Sequence, residues 1–411
     1  MKQRLKKILN NHYYKYLAKP KHRNLLNNFL FFFLWKVFFR ICSLKKVDSK
    51  LILFVASNDF TMPPEYESLY KLAKEKGYKP VCIYKSRNYS NTIYKNELRK
   101  IKNDLRFIKY YAQAKTTFLY DYYLPAYANK PRKNTKLIQI WHACGAFKKW
   151  GYSTRKSEWG LDDKFFEKYN VHKTYTHITT SAEKINGVYA EAFSNDVSKV
   201  HAVGVPRTDI FFDEKFLSSQ KAKLLEKYPE LRNKKIILWA PTYRGNDIRS
   251  SQNDMAIDFK RLYDIIGDEY ALLVKLHPHI AKSMKDEDIP EELTSFVYNI
   301  SKQFDISSAL CFSDMVISDY SSLIFEYALF ERPMIFFAYD LEEYDSDRSF
   351  FYPYEKLVPG KIAKDTEGLI KALKEAETDT YEIVLSEFTQ RFMSACDGKC
   401  TERVFERFIK N

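Results

Sequence analysis

Residues 314–340 read DMVISDYSSLIFEYALFERPMIFFAYD. An apolar run ends at Ser318, and a polar corner, Asp319-Tyr320-Ser321-Ser322, follows it. SLIFEYALF (322–330) then reads as a helix, and Pro333 opens a second apolar run. A strand, a helix and another strand in succession imply a parallel sheet whose strands are buried on both faces. Working outward, the alternation recurs along the chain. LILFVAS (51–57), PVCIYK (80–85), TTFLYD (116–121), KLIQIWH (136–142), THITTSA (176–182) and KVHAVGVPR (199–207) read as strands. Residues 65–78 and 188–193 read as helices between them, the first closed by Gly77. A second series opens at KKIILWAPTYR (234–244) and continues through YALLVKLHP (270–278) and SFVYNI (295–300).

These strands suffice for two doubly wound sheets. The predicted class is α/β, with two facing Rossmann-like domains over residues 51–215 and 216–377 and a cleft between them. Residues 378–411 should form helices that cross back to the first domain. The boundary is expected in the polar segment 213–233. With 11 glycines and no Gly-x-Gly-x-x-Gly, the chain lacks a dinucleotide fingerprint.

Charge is concentrated at one end. Residues 1–50 carry 13 lysines and arginines against the single acid Asp48, so +12 of the chain's +15 lies there. A nucleic-acid binder would spread its charge over a folded face, and no nucleic-acid partner is expected. The same segment contains LLNNFLFFFLWKVFFRICSL (25–44), whose uncharged stretch Leu25 to Trp35 is too short to span a bilayer. Lys36 and Arg40 interrupt it as a signal peptide. Aromatics flanked by basic residues suit a helix lying on an anionic membrane surface. The six cysteines are scattered and mostly sit in apolar runs, as reduced thiols do. Cys396 and Cys400 lack the second ligand pair that a zinc site needs.

Five polar clusters each follow an apolar strand: Trp-His-Ala-Cys-Gly at 141–145 with Lys148 and Lys149, Gly-Val-Pro-Arg-Thr-Asp at 204–209, Ala-Pro-Thr-Tyr-Arg at 240–244, Lys-Leu-His-Pro at 275–278, and Ser-Asp-Tyr-Ser-Ser at 318–322. Any one of them could be a turn or a helix cap. All five together occupy the position where open α/β sheets bind ligands, beyond the carboxyl ends of the strands. His142 is the candidate base, since an imidazole titrates near neutral pH. Ser321 and Ser322, at a helix start, suit a phosphate, and Asp319 beside them is a further substrate-binding candidate. Lys148 and Lys149 add positive charge, Arg244 offers a bidentate clamp, and Lys275 and His277 frame another strand end. Arg207 and Asp209 are read as holding a turn between the domains, through their own ion pair. No acidic cluster of the kind that holds a divalent ion stands out, so neither a metal nor a cofactor is expected.

The series WHACGAFKKWG, GVPRTD, APTYR, KLHP, SDYSSLIFEYALFERPMIFFAYDLEEY and YEKLVPG resembles the CDP-glycerol glycerophosphotransferase family of teichoic acid and capsule synthesis, in the family's order over about residues 110 to 405. The resemblance implies a GT-B fold, with the acceptor on domain 51–215 and the CDP donor on domain 216–377, on a monotopic membrane attachment at the inner face of the bacterial membrane. It implies transfer of a polyol phosphate from CDP-glycerol or CDP-ribitol to a hydroxyl of a lipid-linked saccharide or growing chain, with release of CMP. It makes His142 the base and His277 a second catalytic residue, in contact with the donor phosphate, and it places Arg244, Ser321, Ser322 and Arg348 around the donor. Ala143 and Ser349 stand where many members have glycine. Alditol, acceptor and self-association stay open. Two other readings share this architecture: a glycosyltransferase that uses a nucleotide sugar, and a membrane-bound scaffold without activity.

Overall fold

The computed structural model describes residues 26–85, 93–155, 163–242, 257–277, 284, 286–376 and 380–410. The first sheet comprises β1 (Asp48–Ala56), β2 (Lys79–Tyr84), β3 (Ala114–Leu119), β4 (Lys136–Gln139), β5 (His177–Thr180) and β6 (Val200–Ala202). The second comprises β7 (Lys235–Trp239), β8 (Tyr270–Val274), β9 (Val297–Asn299), β10 (Met315–Ser318), β11 (Met334–Phe337) and β12 (Lys361–Ala363). Their orders are β2-β1-β3-β4-β5-β6 and β12-β11-β10-β7-β8-β9, and every pairing is parallel. The architecture is thus the α/β fold of two parallel sheets.

The central strands show why. All five residues of β8 and all four of both β10 and β11 are buried. A strand covered on both faces by helices has no solvent side, so its sequence runs apolar instead of alternating. Strand order reverses between β1 and β3 and again between β7 and β10. At such switch points the flanking connections leave in opposite directions and open a crevice at the carboxyl edge.

The helix Glu214–Lys227 links the two sheets. Asp213 caps it, accepting from the amides of Lys215 and Phe216. The C-terminal helices tie both halves together. In Thr380–Phe392, Phe388 stacks on Phe325 with centroids 5.3 Å apart. Farther on, Val404, Phe405, Phe408 and Ile409 join Ile52, Phe54 and Phe118 in the core beneath the first sheet, and the Thr116 hydroxyl donates to the Phe408 carbonyl at 3.0 Å.

The N-terminal helical segment 26–42 has two apolar faces. Leu30, Phe31 and Trp35 are buried against the first domain. Phe29, Phe33, Val37 and Ile41, at four-residue spacing and therefore on one stripe, are all more than a third exposed. No helix among the described residues is long and apolar enough to cross a membrane. The basic residues at positions 2 to 23 lie outside the described residues. All six cysteines are free.

Candidate active site

His142 sits just beyond β4, on a turn that the sequence builds with some strain. The strand stops because the buried Gln139 turns its side chain along the chain. Its Oε1 accepts from the Trp141 amide at 2.9 Å, while its Nε2 donates to the Tyr175 hydroxyl at 2.9 Å. Trp141 then adopts φ +54°, a left-handed conformation rarely seen for so bulky a residue. Rings hold it there: Trp150 stacks at 5.8 Å and Phe193 meets it edge-on at 5.3 Å. Strain that neighbouring packing enforces is characteristic of functional turns. Here it aims the next side chain, His142, out of the sheet edge, where it is exposed.

The tautomer follows from one contact. His142 Nδ1 lies 3.2 Å from the Tyr120 carbonyl oxygen. A carbonyl can only accept, so Nδ1 carries the proton and Nε2 of the neutral ring keeps its lone pair. Although the ring is accessible, protein encloses it from several sides. Desolvation lowers its pKa below the ordinary value; Asp121 and Glu65 work against this and Arg207 works with it. The ring is therefore neutral at cellular pH.

The loop after His142 crosses to the other half. Gly145 has φ +64°, and a Cβ there would come within 2.4 Å of the Phe325 ring, so only glycine allows this approach. Phe147 packs edge-on against Phe325 at 5.9 Å. Its carbonyl accepts from the Phe351 amide at 2.9 Å, and the Lys149 amide donates to the Ser349 carbonyl at 3.1 Å. The seam thereby includes a short antiparallel bridge between Lys148 and Phe350. Ser349 pays for it with φ +52°, which explains why a glycine suits this position. We expect Ser349→Gly to raise thermal stability by about 1 kcal/mol, since the relieved strain outweighs the added chain freedom. A lower unfolding midpoint would contradict that.

Lys148 Nζ donates to the Tyr344 hydroxyl at 3.1 Å. Tyr344 stacks on Tyr320 at 3.9 Å, and Tyr320 adjoins Ser321 and Ser322. The lysine of the histidine loop is thus carried to the serine corner. That corner precedes the helix Leu323–Tyr327; Ser322 is its N-cap by position, yet its side chain makes no cap bond. Buried Asp319 faces the protein: it accepts from the Thr242 amide at 2.9 Å, the Thr242 hydroxyl at 2.7 Å and the Tyr320 amide at 2.6 Å. These bonds span the β7–β10 switch point and fix the start of the 240–242 turn. Lys275 and His277 leave β8, one strand farther from β10. Lys275 Nζ donates to the Ser301 carbonyl at 2.9 Å, and burial lowers its pKa; His277 is exposed. Lys149 is half-buried beside a polar pocket that includes Arg155 and Ser349. Arg348 ends the helix Leu341–Arg348. Arg244 lies outside the described residues.

The expected Arg207–Asp209 pair does not form. Asp209 instead accepts from the amides of Cys400 and Thr401, at 2.9 and 2.8 Å, and anchors the last helices. Arg207 reaches both halves: Nη1 meets Glu65 at 2.7 Å and the His142 carbonyl at 2.8 Å, and Nη2 meets Glu326 of the serine-corner helix. Both glutamates are buried. Burial alone would disfavour the charge on Arg207, but Glu326, Cys144 and Glu65 together raise its pKa well above the usual value. Sequence reading passed over Glu65, Asp121 and Glu326. Glu326 carried a signal, an acid inside the apolar run LIFEYALF, where a charge persists only if paired.

The matched family model, CDP-glycerol:poly(glycerophosphate) glycerophosphotransferase, covers residues 37–410. A teichoic acid poly(ribitol-phosphate) polymerase of Bacillus spizizenii is 37% identical over 388 residues, 93% of this chain and 59% of that protein. The chain therefore spans under two thirds of that relative's length. A teichoic acid ribitol-phosphate primase of the same organism is 36% identical over 71% of this chain and 74% of its own length. Among solved structures, the wall teichoic acid polymerase TagF aligns with TM-score 0.74 and 22% identity over 92% of each chain, a likeness of fold. With a family model matched over nearly its whole length, this chain belongs to the CDP-glycerol:poly(glycerophosphate) glycerophosphotransferase family.

Proposed function

We propose that the protein transfers a polyol phosphate from a CDP-alditol to a hydroxyl of a lipid-linked saccharide or growing teichoic acid chain. In this reading the acceptor oxygen attacks the β-phosphorus of the donor. The new P–O bond forms as the bond from the β-phosphorus to the bridging pyrophosphate oxygen breaks. That oxygen takes the electron pair and leaves as part of CMP, and His142 Nε2 takes the acceptor's proton. Phosphoryl chemistry of this kind needs placement and charge neutralisation more than covalent catalysis. Ser321, Ser322, Lys148, Arg244, Lys275, His277 and Arg348 are assigned to the donor, and Lys149 to the approach beside them. Asp319 positions the corner.

The observation that carries this reading is the seam. The histidine loop packs on the serine-corner helix through Gly145 and Phe325, and Arg207 binds the His142 carbonyl and Glu326 at once. The test is CMP release from purified protein given CDP-glycerol, CDP-ribitol and a nucleotide sugar. CMP from a CDP-alditol supports the reading; a nucleoside diphosphate from the sugar donor alone would replace it with glycosyl transfer.

The stripe Phe29, Phe33, Val37 and Ile41 supports peripheral attachment to an anionic membrane. Replacing Phe29 and Phe33 by serine should weaken binding to anionic vesicles by roughly two orders of magnitude, because each phenyl contributes about 1.5 kcal/mol or more when buried. Unchanged co-sedimentation would remove the helix from that role.

A further inference from the structure

A cavity of about 550 Å³ lies in the first domain, lined in part by Trp35, Tyr84, Arg99, Asp104, Tyr122 and Tyr123. It sits at the carboxyl ends of β1, β2 and β3, the switch-point crevice of that sheet. Three of the residues that line it each carry a buried polar atom without a hydrogen-bond partner: Trp35 Nε1, Arg99 Nη1 and Asp104 Oδ2. Trp35 and Asp104 are each only 2% exposed. Native structures rarely leave such atoms orphaned, and three around one cavity point to an occupant.

The atoms describe that occupant. Trp Nε1 and Arg Nη1 only donate, whereas a carboxylate oxygen accepts. A ligand that meets all three must both accept and donate, as vicinal hydroxyls do. The aromatic walls provide apolar platforms for a carbon skeleton, and the guanidinium favours an anionic one. Burial raises the Asp104 pKa to about 7, so the carboxyl can accept from one hydroxyl or donate to another.

Position narrows the choice further. On one side Trp35 belongs to the segment with the exposed apolar stripe. On the other, Asn58, also in the cavity wall, donates to Asp121 at 2.6 Å, and the adjoining Tyr120 carbonyl holds His142. We infer that this cavity binds a polyol-phosphate unit of the acceptor chain, between the membrane-facing helix and His142. The assignment rests on the transfer reading above and adds to it the place where the acceptor docks.

The test is calorimetric titration of the full chain, without donor, with a short oligo(ribitol phosphate), its glycerol counterpart, and inorganic phosphate alone. Wild type should bind an oligomer and not phosphate. Arg99→Met and Trp35→Phe keep the bulk and remove one donor each. Each should weaken oligomer binding about tenfold or more, with unaltered circular dichroism. No binding by wild type, equal binding by well-folded variants, or phosphate bound as tightly as the oligomer would each overturn the assignment. CMP-release assays keep the two ideas apart. Binding lost in the variants without any transfer by wild type defeats the transfer reading alone; transfer by wild type with variants that bind normally defeats the pocket alone.

Discussion

His142→Ala should lower the rate of CMP release at saturating CDP-alditol and acceptor by about 10²- to 10⁴-fold, the usual contribution of a placed general base. The fold should survive, because the side chain is exposed and its ring bonds to a backbone carbonyl, that of Tyr120. Donor binding should survive as well, since the serine corner and its lysine are held by Tyr320, Tyr344 and Asp319. The pH profile provides a second check. The working form is neutral, and desolvation depresses the ring's pKa. Activity is therefore lost only as pH falls below the ordinary imidazole range, with a midpoint under about 6.5. Asp121 supports the protonated form, so Asp121→Asn should move that limb to still lower pH. A limb that stays put or rises would show that Asp121 does not face the base. Wild-type turnover in His142→Ala would end the assignment of the base itself.

Arg207→Met should destabilise the fold by about 3–5 kcal/mol, because it strands two buried carboxylates, Glu65 and Glu326, without their cation. The loss should show as a lower midpoint in thermal or urea unfolding. Converting both glutamates to glutamine in the same chain should restore much of it, since neutral amides are far less costly to bury than lone charges. A small effect of the single substitution, or no recovery in the triple variant, would mean that the three side chains are not one network. Activity offers an independent reading. Because Arg207 also holds the His142 carbonyl, the triple variant should fold yet turn over slowly.

Much of this architecture is legible in the sequence because central parallel strands are apolar throughout. Runs such as YALLV and MIFF announce themselves, and the polar residues that follow them mark the carboxyl edges. Less was legible where the signal is local and weak. β12 is three residues long and begins with the exposed Lys361, so it offers no apolar run to read. The helix Ile93–Tyr111 is rich in lysine, which masks its apolar stripe. In the site, the ends of strands pointed to His142 and to the serine corner. What they bind to could not be read. Arg207 and Asp209 are two residues apart and invite pairing, but the first half of the chain supplies Glu65 and the last helices claim Asp209. Lys148 finds Tyr344, 196 positions away. Such partners are set by tertiary packing, and single-sequence patterns do not carry it.

The most direct measurement is a crystal structure of this chain with a CDP-alditol bound and no acceptor. An acceptor oxygen must lie about 3 Å from the base and about 3–3.5 Å from phosphorus. The β-phosphorus is therefore expected within roughly 6 Å of His142 Nε2, on the side of Ser321 and Ser322. A β-phosphate held elsewhere, with protein between it and the ring, would contradict the claim that this imidazole and this corner serve one reaction.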